Sequence, residues 1–318
     1  MSFESDMLLD RLRLRRKVTV WRVIAFMLAL AGLIGGAFWA IGPDRFGASK
    51  PHVARLTISG LITGSRETQR LIEDIAKSKD VAAVIVAVDS PGGTTAGSEA
   101  LHEQIRALAG KKPVVAVVDR VAASGGYIAA LGADRIFARG NAVVGSIGVI
   151  AQFPNLTKLL DTLGVQMESV RSTPLKAMPS GLEPTTPESR RVLEATVRES
   201  YDWFRALVKQ RRGLEDKELE AVSDGRIFSG RQGLPLKLID AIGSEREALA
   251  WLEKEKNIAK DLPVRDWERR RRQTIPFLAL AGDWARALGF EGLASVLGGH
   301  EALLLDGLVS VWQPVSQN

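Results

Sequence analysis

The residues of this chain best suited to covalent chemistry are one serine, one lysine and two pairs of glycines. In Val121-Ala122-Ala123-Ser124-Gly125-Gly126-Tyr127 a serine sits among small residues. Small neighbours let a substrate carbonyl approach the hydroxyl, and the next N–H along the chain can stabilise a developing oxyanion. The bland alternative is that Ser124 simply caps a helix. Asp89-Ser90-Pro91-Gly92-Gly93 ends an apolar run and precedes a helical stretch. Such a glycine-rich turn offers backbone N–H groups to an anion or oxyanion, although an ordinary strand-to-helix turn has the same composition. No Gly-Lys-Ser/Thr comes after it, so this is not a phosphate-binding loop.

A serine nucleophile needs a base. The three histidines are poor candidates. His52 abuts a linker, His300 lies in the tail, and His102 falls mid-helix between the two glycine turns, where a partly exposed structural role is expected. Lysine is the other option, provided burial away from acids brings its pKa down from about 10.4. Lys176 has that setting: it lies in STPLKAMPS, with no acidic residue from Ser169 to Leu182. Pro174 and Pro179 hold the segment extended. A solvated surface lysine is the competing reading. The chain has no cysteine, which excludes a thiol nucleophile, thiolate metal ligands and a disulfide framework.

The elements that must position these groups alternate along the chain. HVARLTIS (52–59), VAAVIVAV (81–88), PVVAVVD (113–119), RIFA (135–138), AVVGSIGVI (142–150) and VQMESVRS (165–172) read as strands, the continuous apolar runs being buried on both faces. Helices are expected at 66–78, at 98–110, near Ser124, at 155–164 and from Pro187 to about Arg212. This alternation predicts an α/β domain. With 318 residues, 46% of them hydrophobic and 25% charged, the composition is globular rather than disordered. The formal charge of +6 comes from two short basic clusters, 1–22 and 265–272, each with a surplus of three. The rest of the chain is neutral, so no nucleic-acid partner is implied.

Residues 23–41 carry no charge and would span roughly 28 Å as a helix, close to a bilayer's hydrocarbon thickness. The basic stretch before them keeps the N-terminus in the cytoplasm and places the chain beyond residue 41 across the membrane. The rival reading is a cleaved signal peptide, with Gly35 and Ala37 as small residues at a cleavage site. Gly32 and Gly36 form a Gly-x-x-x-Gly pair that could bring helices together, or are chance small residues. The organisation expected is a cytoplasmic basic segment (1–22), a transmembrane anchor (23–41), a linker (42–51), a catalytic domain (52–260) and a C-terminal extension (261–318). The extension is read as helical, for subunit or membrane contact or as plain packing.

Five fragments occur in an order that resembles the signal peptide peptidase A family, the membrane-anchored serine–lysine peptidases with a Clp-protease/crotonase-like α/β fold. They are Asp-Ser-Pro-Gly-Gly (89–93), Ala-Ser-Gly-Gly-Tyr (123–127), Gly-Ser-Ile-Gly-Val (145–149), the segment around Lys176, and SDGRIFSGRQGLPLKLIDAIGS (223–244). The resemblance implies Ser124 as nucleophile, Lys176 as general base, the N–H groups of Gly93 and Gly125 as oxyanion hole, and Ser146 as the residue orienting the lysine. It implies no metal and no cofactor. It also implies cleaved signal peptides or similar apolar peptides as substrates, and a bacterial inner membrane location with the catalytic domain outside the cytoplasm. The chain is similar to the short single-domain members, which implies a homo-oligomer whose serine and lysine meet across neighbouring subunits. Two positions depart from the pattern: Gly233 stands where alanine is usual, and Lys237 where a glycine is common. The rival readings are a crotonase-type acyl-CoA enzyme, a non-catalytic membrane scaffold on the same fold, and a relative that cuts one specific membrane protein.

Overall fold

The computed structural model describes residues 21–28, 30–31, 50–268 and 309–311. The chain divides into two units, Met1–Lys50 and Pro51–Asn318. In the first, residues 21–28 and 30–31 are helical. Among the described residues no helix is long and apolar enough to cross a membrane. The rest of the expected 23–41 span lies outside the described residues.

The second unit is built on a mixed sheet that contains nine strands among the described residues. Its centre is β1 (His52–Ile62), β2 (Val81–Thr94) and β3 (Val114–Ala123), all parallel. Val84, Ile85 and Val86 of β2 and Val114, Val115 and Ala116 of β3 are wholly buried. This burial on both faces is the reason the sequence shows continuous apolar runs rather than alternation. Helix α1 (Arg66–Lys77) buries Ile72 and Ile75, and α2 (Thr95–Ala109) buries Leu101, Ile105 and Leu108. On the other face Ile85, Val117 and Phe137 pack with Leu252.

β3 forks. Val115–Val118 pair with β4 (Arg135–Ala138), while Val121–Ala123 pair with β5 (Val143–Gly145). The fork carries the end of β3, and Ser124 after it, alongside β5 and therefore toward Ser146. Short α3 (Gly125–Ala130) comes directly after Ser124. Then come α4 (Thr157–Thr162) and the long α5 (Pro187–Arg212). The Thr186 side chain accepts from Ser189 N at the start of α5, Pro187 fills its first turn, and Gly213 ends it at φ 60°. α6 (Asp216–Val222), β6 (Ile227–Ser229), α7 (Gly230–Gly233), β7 (Ala241–Ile242), α8 (Glu245–Glu255) and β8 (Val264–Asp266) complete the domain. β6 runs antiparallel to β5, and β8 parallel to β1. A last strand, β9 (Val309–Val311), runs antiparallel to Gly92–Thr94 of β2.

Two expectations are corrected. The segment 165–172 is not a strand: residues 165–170 have no regular structure and are exposed. Alternation makes a strand only where a sheet edge and a core are present to receive it, and this segment meets neither in the single chain. The expected strand 142–150 stops at Gly145, because Gly145 (φ 90°) and Ser146 (φ 53°) turn the chain out of the extended region. The described residues of the C-terminal extension, 261–268 and 309–311, include strands β8 and β9; the remainder, for which helices are expected, lies outside the described residues.

Candidate active site

Ser124 is 1% exposed, at the junction of β3 and α3. Its backbone adopts φ 52°, ψ −117°, and its side chain makes no capping bond to the helix, so it is not there as a helix cap. A non-glycine residue held in such a conformation costs about 1–3 kcal/mol and persists only where its surroundings over-determine it. Here they do. Ser124 N donates to Gly145 O at 2.8 Å, and Ile128 N donates back to Ser124 O at 3.0 Å. A sharp strand-to-helix turn with a strained serine at its tip is the arrangement that presents a nucleophilic hydroxyl.

The sequence suggests a turn at 89–93, but β2 runs through it to Thr94, and Gly93 lies opposite Ile62 of β1. Glycine is required there: a Cβ on Gly93 would lie 1.9 Å from Ile62 O. Gly125 and Gly126 are equally tight. A Cβ on Gly125 would meet Ser98 Oγ at 2.2 Å and Gly93 N at 3.0 Å, and one on Gly126 would meet Ser90 O at 2.4 Å. The start of α3 therefore rests directly on the end of β2, which brings the Gly93 amide beside Gly125. We expect Gly93→Ala to lower stability by about 1–3 kcal/mol through overpacking and to depress the peptide turnover that the sequence resemblance implies. Thermal unfolding and hydrolysis measured together check this, and wild-type values in both would show that the strand can yield.

Two buried serines that the sequence did not single out by themselves hold this backbone. Ser90 Oγ donates to Gly60 O at 2.6 Å and accepts from Gly92 N at 3.1 Å. Ser98 Oγ donates to Thr94 O at 2.9 Å. Thr94 also caps α2, accepting from Gly97 N at 3.1 Å. For that reason α2 begins three residues before the expected Ser98. The available signal was the clustering of small hydroxyl residues around Pro-Gly-Gly.

Ser146 is 8% exposed at φ 53°, one residue beyond the carbonyl that receives Ser124 N. Its own N–H donates to Arg226 O at 2.9 Å. The Arg226 guanidinium is held in turn by Asp224, with Nε–Oδ2 at 2.7 Å. The Asp224-Gly225-Arg226 stretch thus supports Ser146 from behind. Lys237 sits at φ 60°, a left-handed position that explains why glycine is common there. Its ammonium donates to Glu218 at 2.7 Å. A Cβ on Gly233 would approach Val144 Cγ2 to 3.1 Å, a contact that a small shift would relieve.

Lys176 is exposed in the single chain. It lies in a tight turn, with Lys176 N donating to Thr173 O and Met178 N to Leu175 O, and Ala177 beside it has φ 61°. The structure thus groups Ser124, Gly93, Gly125 and Ser146 on adjoining backbone, while Lys176 projects to solvent on the segment between β5 and α5. A cleft of about 1040 Å³ opens between that segment and α5, starting one residue beyond Ser146 and lined by Ile147, Ile150, Phe153, Leu193 and Val197 among others.

Neither of the two described histidines is placed to act as a base for Ser124, and His300 lies outside the described residues. His52 Nε2 accepts from Trp267 Nε1 at 3.1 Å, and the two rings stack. His102 is more buried than expected, at 7% exposure, with Nδ1 3.0 Å from Ile128 O. A carbonyl only accepts, so Nδ1 carries the proton. Burial pushes the His102 pKa down, and the Arg211 and Arg106 charges act in the same direction. The folded chain therefore binds this proton less readily than the unfolded one. Stability is fully present above the ordinary histidine pKa of about 6.5 and declines as pH falls through it. We expect His102→Gln to flatten that decline, which is read from melting temperatures of both chains at pH 8 and pH 5.5. Parallel curves would refute it. Among the described residues no cluster of His, Asp or Glu has the geometry of a metal site.

The profile of Peptidase family S49 matches residues 106–259. Over 205 residues the chain is 34% identical to a candidate protease of Synechocystis, a match covering 64% of this chain and 74% of that protein. It is 32% identical over 226 residues to a candidate signal peptide peptidase SppA of Enterococcus faecium, covering 67% of this chain and 66% of the relative. With the chloroplastic serine protease SPPA of Arabidopsis thaliana it shares 31% identity over 262 residues, which is 82% of this chain and 39% of the longer plant protein.

Proposed function

The chain belongs to peptidase family S49, and from that premise we propose that it is a membrane-anchored serine endopeptidase working through a serine–lysine pair. The Ser124 hydroxyl attacks the scissile carbonyl and gives its proton to the neutral amine of Lys176. The N–H groups of Gly93 and Gly125 receive the oxyanion of the tetrahedral intermediate. As the intermediate collapses, the Lys176 ammonium protonates the leaving amine, and an ester on Ser124 remains. Water then attacks the ester as Lys176 takes its proton; the second intermediate collapses, the Lys176 ammonium returns that proton to Ser124 Oγ, and the acid product leaves. Ser146 Oγ hydrogen-bonds the lysine amine and aims its lone pair at Ser124. No step calls on a metal or cofactor.

The observation that carries this reading is the backbone of Ser124. A buried non-glycine residue is held at positive φ immediately before Gly125, whose Cβ position lies against Gly93 N, and positive φ occurs also at Ser146 and at Ala177 beside Lys176. Strain of this kind concentrates at sites of chemistry. A peptide substrate is supported by the edge of β2. Gly92–Thr94 already accept an extended antiparallel segment, residues 309–311 of the chain itself, which is how a sheet edge takes up a peptide. The apolar walls of the neighbouring cleft suit signal peptide remnants and other apolar sequences.

The forked pairing of β3 is consistent with a Clp-protease/crotonase-like domain over 52–260. The uncharged run 23–41 is its anchor, with residues 1–22 in the cytoplasm, 42–51 as linker, 261–318 as an extension, and the catalytic domain outside the bacterial inner membrane. The test is purified protein offered a model signal peptide and, separately, an acyl-CoA. We expect peptide cleavage, labelling of Ser124 by a serine-directed phosphonate, and no thioester turnover. Thioester turnover without peptide cleavage would assign the site to acyl-CoA chemistry, and absence of both activities with no label would assign it to a scaffold.

A further inference from the structure

The acid-free run around Lys176 ends at Glu183, and that carboxylate is held through one of its oxygens. Glu183 Oε1 accepts from Arg171 Nη2 at 2.6 Å and from Ser169 Oγ at 2.7 Å. Arg171 and Glu183 each retain 22% side-chain exposure. From residue 161 to 177 every other residue is exposed, so the Arg171 contact is the firmest attachment in the stretch that leads to Lys176. The Arg171 guanidinium, with the Ser169 hydroxyl second, holds the Glu183 carboxyl below the usual carboxylate range. A second tie lies beside it, where Leu156 N donates to Gly181 O at 2.8 Å. Gly181 has φ 76°, and a Cβ there would lie 2.1 Å from Pro154 O.

These contacts join the two stems of the turn that presents Lys176. The turn itself contains no helix, no strand and no buried side chain; its two internal backbone bonds, Lys176 N to Thr173 O and Met178 N to Leu175 O, shape it locally but do not anchor it to the rest of the domain. A loop left open at both stems samples many geometries, and a reacting group misplaced by about 1 Å can lose up to about 10²-fold in rate. We propose that Glu183, gripped by Arg171 and Ser169, is a positioning residue that closes this turn and thereby fixes where Lys176 projects. The inference rests on the reading of Lys176 as general base. The same pairing also keeps the first carboxylate after Lys176 in the chain bonded to Arg171 rather than free to pair with the lysine amine, which must lose its proton to act.

The size of the effect is set by the kind of bond. Partly exposed ion pairs hold their partners weakly, so loss of the clamp lowers the population of the competent turn rather than abolishing it. We expect Glu183→Ala to lower kcat about tenfold, equivalent to about 1.4 kcal/mol, with KM changed less than about twofold. The melting temperature should stay at the wild-type value, because the segment contributes nothing to the core. Glu183→Gln should fall between the two, and the charge-exchanged double variant Arg171→Glu/Glu183→Arg should recover part of the lost kcat. Wild-type kcat in Glu183→Ala beside an inactive Lys176→Ala would overturn the clamp alone. Full activity in Lys176→Ala would overturn the base reading and the clamp with it. A lowered melting temperature, or a loss confined to KM, would assign Glu183 a structural or binding role instead.

Discussion

Replacing Ser124 by alanine is expected to lower peptide turnover by at least about 10⁴-fold while leaving the fold intact. The magnitude comes from removing a nucleophile whose loss leaves only the contributions of binding and the oxyanion donors. The tolerance of the fold comes from geometry. Ser124 holds its place through its own backbone N–H and carbonyl, bonded to Gly145 and Ile128, and its side chain does not cap α3. Alanine keeps both backbone bonds. The strained φ of 52° remains, at a cost similar to that of serine, so melting temperatures should agree closely. Phosphonate labelling should disappear with activity. If the alanine variant still cleaves peptide at a tenth of the wild-type rate or more, Ser124 is not the nucleophile, and the strain at its backbone needs another explanation.

The sequence revealed some parts of this architecture far better than others, for physical reasons. α5 was legible to the residue because each end signal acts locally: Thr186 caps it, Pro187 fills its first turn and Gly213 takes the left-handed position. The central strands were legible because parallel strands buried on both faces have no polar side to confuse the pattern. Tertiary contacts decided the rest. β2 runs on through Pro-Gly-Gly because β1 offers Leu61 and Ile62 as partners, and local composition reports no partner. The positive φ of Ser146 is imposed by its bond to Arg226, some 80 residues later in the chain. Order of motifs, rather than any one of them, pointed to Ser124, Gly93, Gly125 and Ser146 as a group. The segment 165–172 misled because its apolar positions Val165, Met167 and Val170 have no surface in the single chain to cover them.

That same exposure sets up the second large effect, which concerns Lys176. An amine acts as a base near neutral pH only when it is shielded from water and from acids, and in the single chain Lys176 faces solvent. Ser124, by contrast, is buried. The two conditions are met together if a second copy of the chain covers the segment and its apolar positions, so that the serine of one subunit works with the lysine of the next. Lys176→Ala alone is then expected to lose about 10³-fold or more in kcat, as for removal of a general base. Refolding Lys176→Ala with Ser124→Ala in equal amounts should restore activity, although each variant is inactive by itself. With random assembly a site draws an intact serine from half of the subunits and an intact lysine from half, so recovery approaches about a quarter of the wild-type rate. Recovery should vanish if the two variants are mixed only after each has assembled and do not exchange subunits. Complete lack of rescue in co-refolded samples would place both groups in one subunit. The exposed turn would then have to fold over its own Ser124 before each turnover, and kcat would fall steeply in any variant that stiffens the stems of that turn.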